Sequence, residues 1–213
     1  MEQTRIEAHS PQWYKSRLGR FTASRLYDLL STPKDKTIPR PYVIEKAAEI
    51  LTGESQDSDY FDENMAHGVE YEHLAIKWFA KKTGFEVKEN SEFVQHEYLN
   101  FGATPDRVAY DENGNKFILE VKCPKSTNHI KNCLLNDVED FKRKHTKYYW
   151  QIIGGAICEG ATHGAFISFD PRIDSDCGLY VLLFELPQSD IDKATSAIEQ
   201  AENELNELIT KLK

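Results

Sequence analysis

The chain has 213 residues, enough for one domain with a full hydrophobic core, and its 40% apolar and 11% aromatic residues are typical of a globular protein. No stretch approaches the ~20 apolar residues of a transmembrane helix, and the polar N-terminus lacks the apolar segment of a secretory signal. We therefore expect a cytoplasmic protein with no membrane partner. The formal net charge of −9 argues against nonspecific coating of nucleic acid.

Hydrophobic periodicity predicts helices alternating with groups of strands, separated by loops at 31–41 and 54–62. In chain order the predicted elements are a helix–turn–helix over 10–30, helices over 42–53 and 63–84, strands within 85–96 and 101–110, a hairpin turn at 111–115, a strand from 116, a helix over 147–160, strands over 162–170 and 178–186, and a C-terminal amphipathic helix from 189. This order predicts an α/β (α+β) fold with a central mixed β-sheet flanked by helices. The four cysteines show neither a CxxC pair nor zinc-ligand spacing, which indicates free thiols.

The predicted strand "KFILEVKCPKS" (116–126) carries two charged residues in an apolar run. Glu120 and Lys122 are two positions apart, so their side chains project from the same face of the strand. Burying either charge alone is costly. The two residues therefore call for a partner or a ligand on that face.

The preceding turn indicates which residue lies opposite. A three-residue loop with Gly114 in the left-handed conformation pairs Asp111 with Asn115 or with the next residue. The Asn115 pairing places Asp106 directly across from Glu120, whereas a slip of one residue would remove it from that position.

In this register two carboxylates and an ammonium share one polar cluster. Two carboxylates cannot share such a site at low cost unless one is protonated or a cation lies between them. Carboxylate oxygens suit Mg²⁺ or Mn²⁺. The alternative is an ordinary ion pair between an acid and Lys122 on a solvent-facing strand, and spacing by itself does not decide between the two.

Glu72 is a candidate third acid, because its neighbours one turn away include Ala75 and Ile76 and place it in the apolar stripe of its helix. An inward-facing acid suits a ligand site. The alternative is a partly exposed glutamate paired with a lysine.

The pattern T-P-D-x13-E-V-K resembles the core of PD-(D/E)XK nucleases, which have a restriction-endonuclease-like fold. Further motifs follow in the order seen in the phage lambda exonuclease family, the YqaJ-like group of viral recombination exonucleases. The motifs are "WYKSRLGRFTAS" (13–24), "HGVEYEHLA" (67–75), "GATPDRVAY" (102–110), "LEVKCPKS" (119–126) and "YYWQIIGGA" (148–156). The resemblance implies a single nuclease domain over 1–213, with a catalytic core at about 13–186 and a C-terminal helix at about 189–213.

The family resemblance also implies an activity. Its members are Mg²⁺-dependent 5′→3′ exonucleases that degrade one strand of linear double-stranded DNA, and the best-known ones are homotrimeric rings acting with a single-strand annealing protein. A phage or prophage protein of this kind would act in the host cytoplasm, on double-stranded DNA ends.

Site residues follow from the resemblance motif by motif. Asp106, Glu120 and the Val121 carbonyl would hold Mg²⁺, with Mn²⁺ as a possible substitute, and Glu72 would serve a second ion. Lys122 would orient or activate the attacking water, and Gln151 would line the metal site.

Arg17 and Ser24, seven residues apart as the family motif requires, would bind the 5′-terminal phosphate. Related enzymes place an arginine shortly after the Cys-Pro dipeptide, whereas this chain has "KCPKSTNHIK". Lys125 and Lys131 are the candidates to replace it, although lysine lacks the bidentate fork of arginine.

Two alternatives to an exonuclease stay open: an endonuclease on the same metal-dependent core, and a non-catalytic module that binds DNA ends. The basic run "FKRKHTK" (141–147) fits a DNA groove and a solvated helix face equally well.

Overall fold

The computed structural model describes residues 5–8, 10–31, 38–56, 63–89, 91–174 and 176–213, and for 63–69 only the backbone. The loops predicted at 31–41 and 54–62 lie largely outside the described residues. The helices are α1 (Pro11–Arg17), α2 (Leu26–Leu30), α3 (Pro41–Thr52), α4 (Glu63–Thr83), α5 (Ser126–Cys133), α6 (Val138–Lys144), α7 (Thr146–Glu159) and α8 (Gln188–Leu212). The strands are β1 (Arg5–Glu7), β2 (Phe21–Thr22), β3 (Glu86–Val87), β4 (Glu92–Gln95), β5 (Phe101–Ala103), β6 (Arg107–Tyr110), β7 (Lys116–Lys122), β8 (His163–Phe169) and β9 (Leu179–Glu185).

The strands form two mixed sheets. The larger has the order β3-β6-β7-β8-β9, with β7 and β8 parallel and the other neighbours antiparallel. The smaller has the order β1-β4-β5-β2, with β2 parallel to β5. The predicted mixed sheet flanked by helices is confirmed. Strands β4 and β5 lie within the segments 85–96 and 101–110 that were predicted as strands, but their assembly with β1 and β2 into a second sheet was not predicted, and neither were helices α5 and α6. Strands β1 and β2 and the two helices are too short to show a clear period.

Strand β7 lies in the middle of the larger sheet and is buried on both faces. Ile118 belongs to the apolar cluster that includes α7, and Leu119 to the cluster on the opposite face that includes Ala75 and Phe79 of α4. Burial on both faces explains the nearly continuous apolar sequence of the strand. Glu120 has the parity of Ile118 and therefore faces the α7 side.

The β6–β7 hairpin has the predicted register. Arg107 lies across from Leu119, and the Asp111 amide donates to the Asn115 carbonyl at 3.2 Å. Gly114 has φ of 79°, the left-handed conformation that the three-residue loop needs. Continued by one residue, this pairing places Asp106 across from Glu120.

Helix α7 approaches the sheet closely because two of its residues lack side chains. A Cβ on Gly154 would lie 2.7 Å from the Ala23 Cβ and 2.9 Å from the Ala23 Cα, and one on Gly155 would lie 2.8 Å from Ile118 Cγ2. The close approach brings the first turn of α7 to the end of β7 that carries the charged residues.

The C-terminal helix α8 packs on its own domain. Its buried residues Ala194, Ile198, Ala201 and Leu205 belong to the same apolar cluster as α7. The predicted amphipathic helix is confirmed, and its apolar stripe is covered by the rest of the chain. The four cysteines are free thiols, as expected. In the ranges described above, no helix is both long and apolar enough to cross a bilayer.

We predict that Gly154→Ala lowers the free energy of unfolding by about 1–3 kcal/mol, because the cost of overpacking against Ala23 exceeds the gain of ~1 kcal/mol in helix propensity. Urea denaturation would measure the change. Lys147→Ala, at an exposed position of the same helix, is the control and should stay within about 0.5 kcal/mol of the unsubstituted protein. A stabilised Gly154→Ala variant would show that the helix is free to shift.

Candidate active site

Three charged residues meet where β6 begins and β7 ends, because the two strands run antiparallel. The Nζ atom of Lys122 lies 2.6 Å from Oε1 of Glu120 and 3.5 Å from Oδ2 of Asp106. The Val121 amide donates to the same Asp106 oxygen at 2.7 Å. The structure thus brings together the acids and the lysine that the hairpin register predicted.

The Lys122 ammonium lies among three oxygen atoms. It donates to the Val121 carbonyl at 3.0 Å, in addition to its contacts with the two carboxylates. These oxygens belong to three of the predicted metal ligands, so the protein's own cation stands where a divalent ion was expected. Glu120 is only 1% exposed, and its Oε1 atom makes no hydrogen bond of good geometry with any described residue despite its short distance from the ammonium.

Burial and the neighbouring charges shift the pKa values of this cluster. Burial raises the pKa of Glu120 to about 8; the Lys122 ammonium opposes this rise and the Asp106 carboxylate adds to it. Burial by itself would lower the pKa of Lys122, but attraction to Asp106 and Glu120 outweighs it and the pKa lies above its usual value. The lysine therefore stays protonated, and the raised pKa of Glu120 keeps that carboxyl group largely protonated at neutral pH, where an additional cation would favour its ionised form.

The oxygen set fits one divalent cation. Two carboxylates and a main-chain carbonyl are hard donors of the kind that Mg²⁺ and Mn²⁺ prefer, and Oε1 of Glu120 is buried with the Lys122 ammonium 2.6 Å away. Over the part of the chain that the structure describes, no group of three or more His, Cys, Asp or Glu side chains is close enough to hold a metal. A bound ion would thus rest on Asp106, Glu120 and Val121, with Lys122 moved aside.

Glu72 lies on the opposite face of the sheet, on α4, and pairs with Arg107. Oε1 of Glu72 is 3.1 Å from Nη1 of Arg107, and the same nitrogen donates to the main-chain carbonyl of Asp106. The Glu72 side chain is 30% exposed, and burial together with the Asp106 carboxylate raises its pKa. Glu72 is thus partly exposed and paired, with an arginine rather than a lysine as partner, and it also lines a cavity together with Asp106.

Arg107 was missed by the sequence reasoning. It directly follows Asp106, so on β6 it projects to the face that α4 covers. Side-chain alternation along the strand predicts which face Arg107 occupies. Its ion pair, however, joins residues 35 positions apart, and it can be predicted only when the packing of α4 is known.

One cavity of about 430 Å³ joins the predicted phosphate-binding residues to the acids. Its lining includes Arg17, Ser24, Glu72, Asp106 and Arg107. Helix α1 is positioned by Trp13, which also lines the cavity. Nε1 of Trp13 donates to Oγ1 of Thr104 at 3.0 Å, and the Arg17 guanidinium stacks 4.1 Å from the centroid of the Trp13 ring.

The other predicted site residues are less closely associated. Lys125 and Lys131 are exposed, at the start and near the end of α5, and neither belongs to the described lining of this cavity. Gln151 is partly buried on α7 and makes no hydrogen bond to the acids within the described chain. Its neighbour one turn earlier, Tyr148, was missed; its ring centroid lies 5.1 Å from Nζ of Lys122.

Three basic residues of the run 141–147 are paired with acids. Lys142 lies 2.6 Å from Asp190, and Arg143 and Lys144 lie 2.5 and 2.7 Å from Asp140. These pairs favour the solvated helix face over a DNA groove.

Comparison with known proteins agrees with the resemblance seen in the sequence. A model of the YqaJ-like viral recombinase domain matches residues 12–162. The structure is similar to the alkaline exonuclease LHK-Exo from Laribacter hongkongensis, with a TM-score of 0.75, 25% sequence identity, and coverage of 95% of this chain and 96% of that one. The same values hold for LHK-Exo in complex with dAMP.

A phage-related exonuclease from Haemophilus somnus 129PT shares the fold, with a TM-score of 0.70, 17% identity, and coverage of 91% and 96% of the two chains. No curated protein sequence matches the chain significantly. The family model spans well over half of the chain and includes the acids, the lysine and the arginine described above. The chain therefore belongs to the YqaJ-like viral recombinase family.

Proposed function

We propose that this protein is a Mg²⁺-dependent exonuclease that degrades one strand of linear double-stranded DNA in the 5′→3′ direction. The observation that carries the proposal is the Asp106–Glu120–Lys122 cluster, with its cation enclosed by oxygen atoms, beside a cavity lined by two arginines. The product would be a 3′ single-stranded overhang for recombination by strand annealing. A homotrimeric ring, an annealing-protein partner, a host-cytoplasmic location and a single domain over 1–213 belong to the same proposal.

Phosphodiester hydrolysis needs a nucleophilic hydroxide and neutralisation of charge on the phosphorus centre. A divalent ion held by Asp106, Glu120 and the Val121 carbonyl would supply both. Lys122, displaced from the oxygens by the ion, would remain next to them and could place its ammonium beside the incoming water. Glu72 is the acid nearest for a second ion, once its contact with Arg107 is exchanged.

The cavity accounts for recognition of a DNA end. Arg17 and Ser24 would bind the terminal phosphate and set the scissile bond against the acids, because phosphate contacts fix the register of a nucleic acid. The Laribacter enzyme has been crystallised with dAMP, a mononucleotide of the kind that an exonuclease releases.

The proposal is tested with a linear duplex that carries different labels at its 5′ and 3′ ends. We expect early loss of the 5′ label only with Mg²⁺, followed by mononucleotides and a 3′ overhang. Supercoiled circular DNA is the control and should stay intact. Nicking of the circle would indicate an endonuclease, and tight end binding without cleavage would indicate a non-catalytic module.

We predict that Lys122→Ala and Asp106→Ala each reduce digestion by at least about a thousandfold, since the first removes positive charge beside the reacting phosphate and the second removes a ligand of the ion. Fluorescence anisotropy should show that both variants still bind duplex ends. Arg143→Ala, which removes an ion-paired arginine that lines a different cavity, should digest normally. Near-normal digestion by either active-site variant would show that the site is misassigned.

Stability provides a measure of cation binding that does not depend on activity. In EDTA, Lys122→Met should lower the free energy of unfolding by about 2 kcal/mol, because it leaves two carboxylates together without their counter-ion. Addition of Mn²⁺ should raise the melting temperature of the variant more than that of the unsubstituted protein, since no ammonium must be displaced.

Two further variants control this measurement. Asp106→Ala should lose the Mn²⁺ response, and Lys147→Met, at an exposed position of α7, should resemble the unsubstituted protein. The assigned ion site would be refuted by melting temperatures that Mn²⁺ leaves unchanged in both the unsubstituted protein and Lys122→Met.

A further inference from the structure

We propose that Arg107 is the second arginine of the terminal-phosphate pocket and supplies a bidentate contact to the phosphate. It would take the place for which the sequence offered Lys125 and Lys131. This inference rests on the proposed function, and it identifies the residue that gives the exonuclease its preference for a 5′-phosphate. The first ground is location: Arg107 lines the same cavity as Arg17 and Ser24, whereas the two lysines are exposed, Lys125 just before α5 and Lys131 on it, and do not belong to the described lining.

The second ground is the arrangement of its donors. Nη1 of Arg107 makes both of its hydrogen bonds, to Oε1 of Glu72 and to the carbonyl of Asp106. Its Nε and Nη2 atoms have no hydrogen-bond partner among the described residues. Two parallel N–H groups on one edge of a guanidinium are the donors that bind phosphate in a fork. One nitrogen therefore holds the side chain in place, and the edge formed by Nε and Nη2 is available for a ligand.

The third ground is charge. The cavity lining contains two carboxylates, Glu72 and Asp106, which would repel a phosphate dianion. Two arginines, Arg17 and Arg107, balance them. Without Arg107 the lining would carry a net negative charge, and a terminal phosphate would enter it at a cost. A hydroxyl end carries no such charge, so the effect of Arg107 should depend on the phosphate.

A second role for Arg107 must be separated from this one, because it could act only by holding Glu72. Glu72→Gln removes the charged partner and leaves the guanidinium in place. If Arg107 binds phosphate itself, Glu72→Gln reduces digestion but retains the preference for phosphorylated ends, and Arg107→Ala loses that preference.

The experiment measures kcat/KM on matched duplexes with a 5′-phosphate or a 5′-hydroxyl, together with end binding by anisotropy in EDTA. We expect Arg107→Ala to reduce the ratio of phosphate to hydroxyl kcat/KM by about 10- to 100-fold, as loss of a charged hydrogen-bonded contact does. The binding ratio in EDTA should fall in the same direction. The ratio for Arg107→Lys, which keeps the charge without the fork, should lie between that of the unsubstituted enzyme and that of Arg107→Ala. Arg107→Lys also replaces Arg107→Ala as the test variant if the alanine variant fails to fold. Arg143→Ala, the matched control, should keep the ratio of the unsubstituted enzyme.

Several results would overturn the inference and leave the proposed function intact. The first is an unsubstituted enzyme with equal kcat/KM on phosphate and hydroxyl ends, and the second is an equal loss of kcat/KM on both ends in Arg107→Ala. The others are a loss of the phosphate preference in Glu72→Gln as large as in Arg107→Ala, or a loss of that preference in Lys125→Ala but not in Arg107→Ala. Failure of the unsubstituted enzyme to digest any linear duplex would instead overturn the proposed function.

Discussion

A cation between two carboxylates is the interaction on which the site depends. Asp106 and Glu120 face each other across the ends of two antiparallel strands, and Glu120 is almost fully buried. Two carboxyl groups this close are tolerated when one is protonated or a positive charge compensates them. Lys122 provides that charge from two positions further along the same strand, and burial raises the pKa of Glu120. The same oxygens are hard donors, so the cluster that the lysine stabilises is also one that a divalent ion can bind.

Rigid elements hold this cluster in place. The hairpin turn with its left-handed Gly114 sets the register, and a shift of one residue would move Glu120 and Lys122 to the apolar face that α4 covers. On one side α7 is drawn close by Gly154 and Gly155. A site built on such elements keeps its geometry better than one built on loops.

The protein balances charge locally despite its net charge of −9. Among the acids of the site, Asp106 and Glu120 share the Lys122 ammonium, and Glu72 pairs with Arg107. The basic run on α6 is likewise neutralised by Asp140 and Asp190. Under the proposed function, a polyanionic substrate would meet positive charge at the cavity where these partners are exchanged.

The local sequence was sufficient to predict the hairpin and the cluster. The turn residues specify the loop, side-chain alternation specifies the face, and together they bring Asp106, Glu120 and Lys122 to one point, since all of these residues lie on two adjacent strands. The helices α3, α4, α7 and α8 were predicted for a similar reason, because each is long enough to show its period.

Contacts between distant segments were decided only by the tertiary structure. The partner of Glu72 is an arginine on a strand beneath its helix, and the residues that share a cavity with Arg17 come from four separate parts of the chain. The apolar stripe of α8 could equally have met another protein, and only the fold shows that it covers α7 and its neighbours. Periodicity reports which face of an element is buried, but it carries no information on which other element covers that face, because that choice depends on how all the layers pack together.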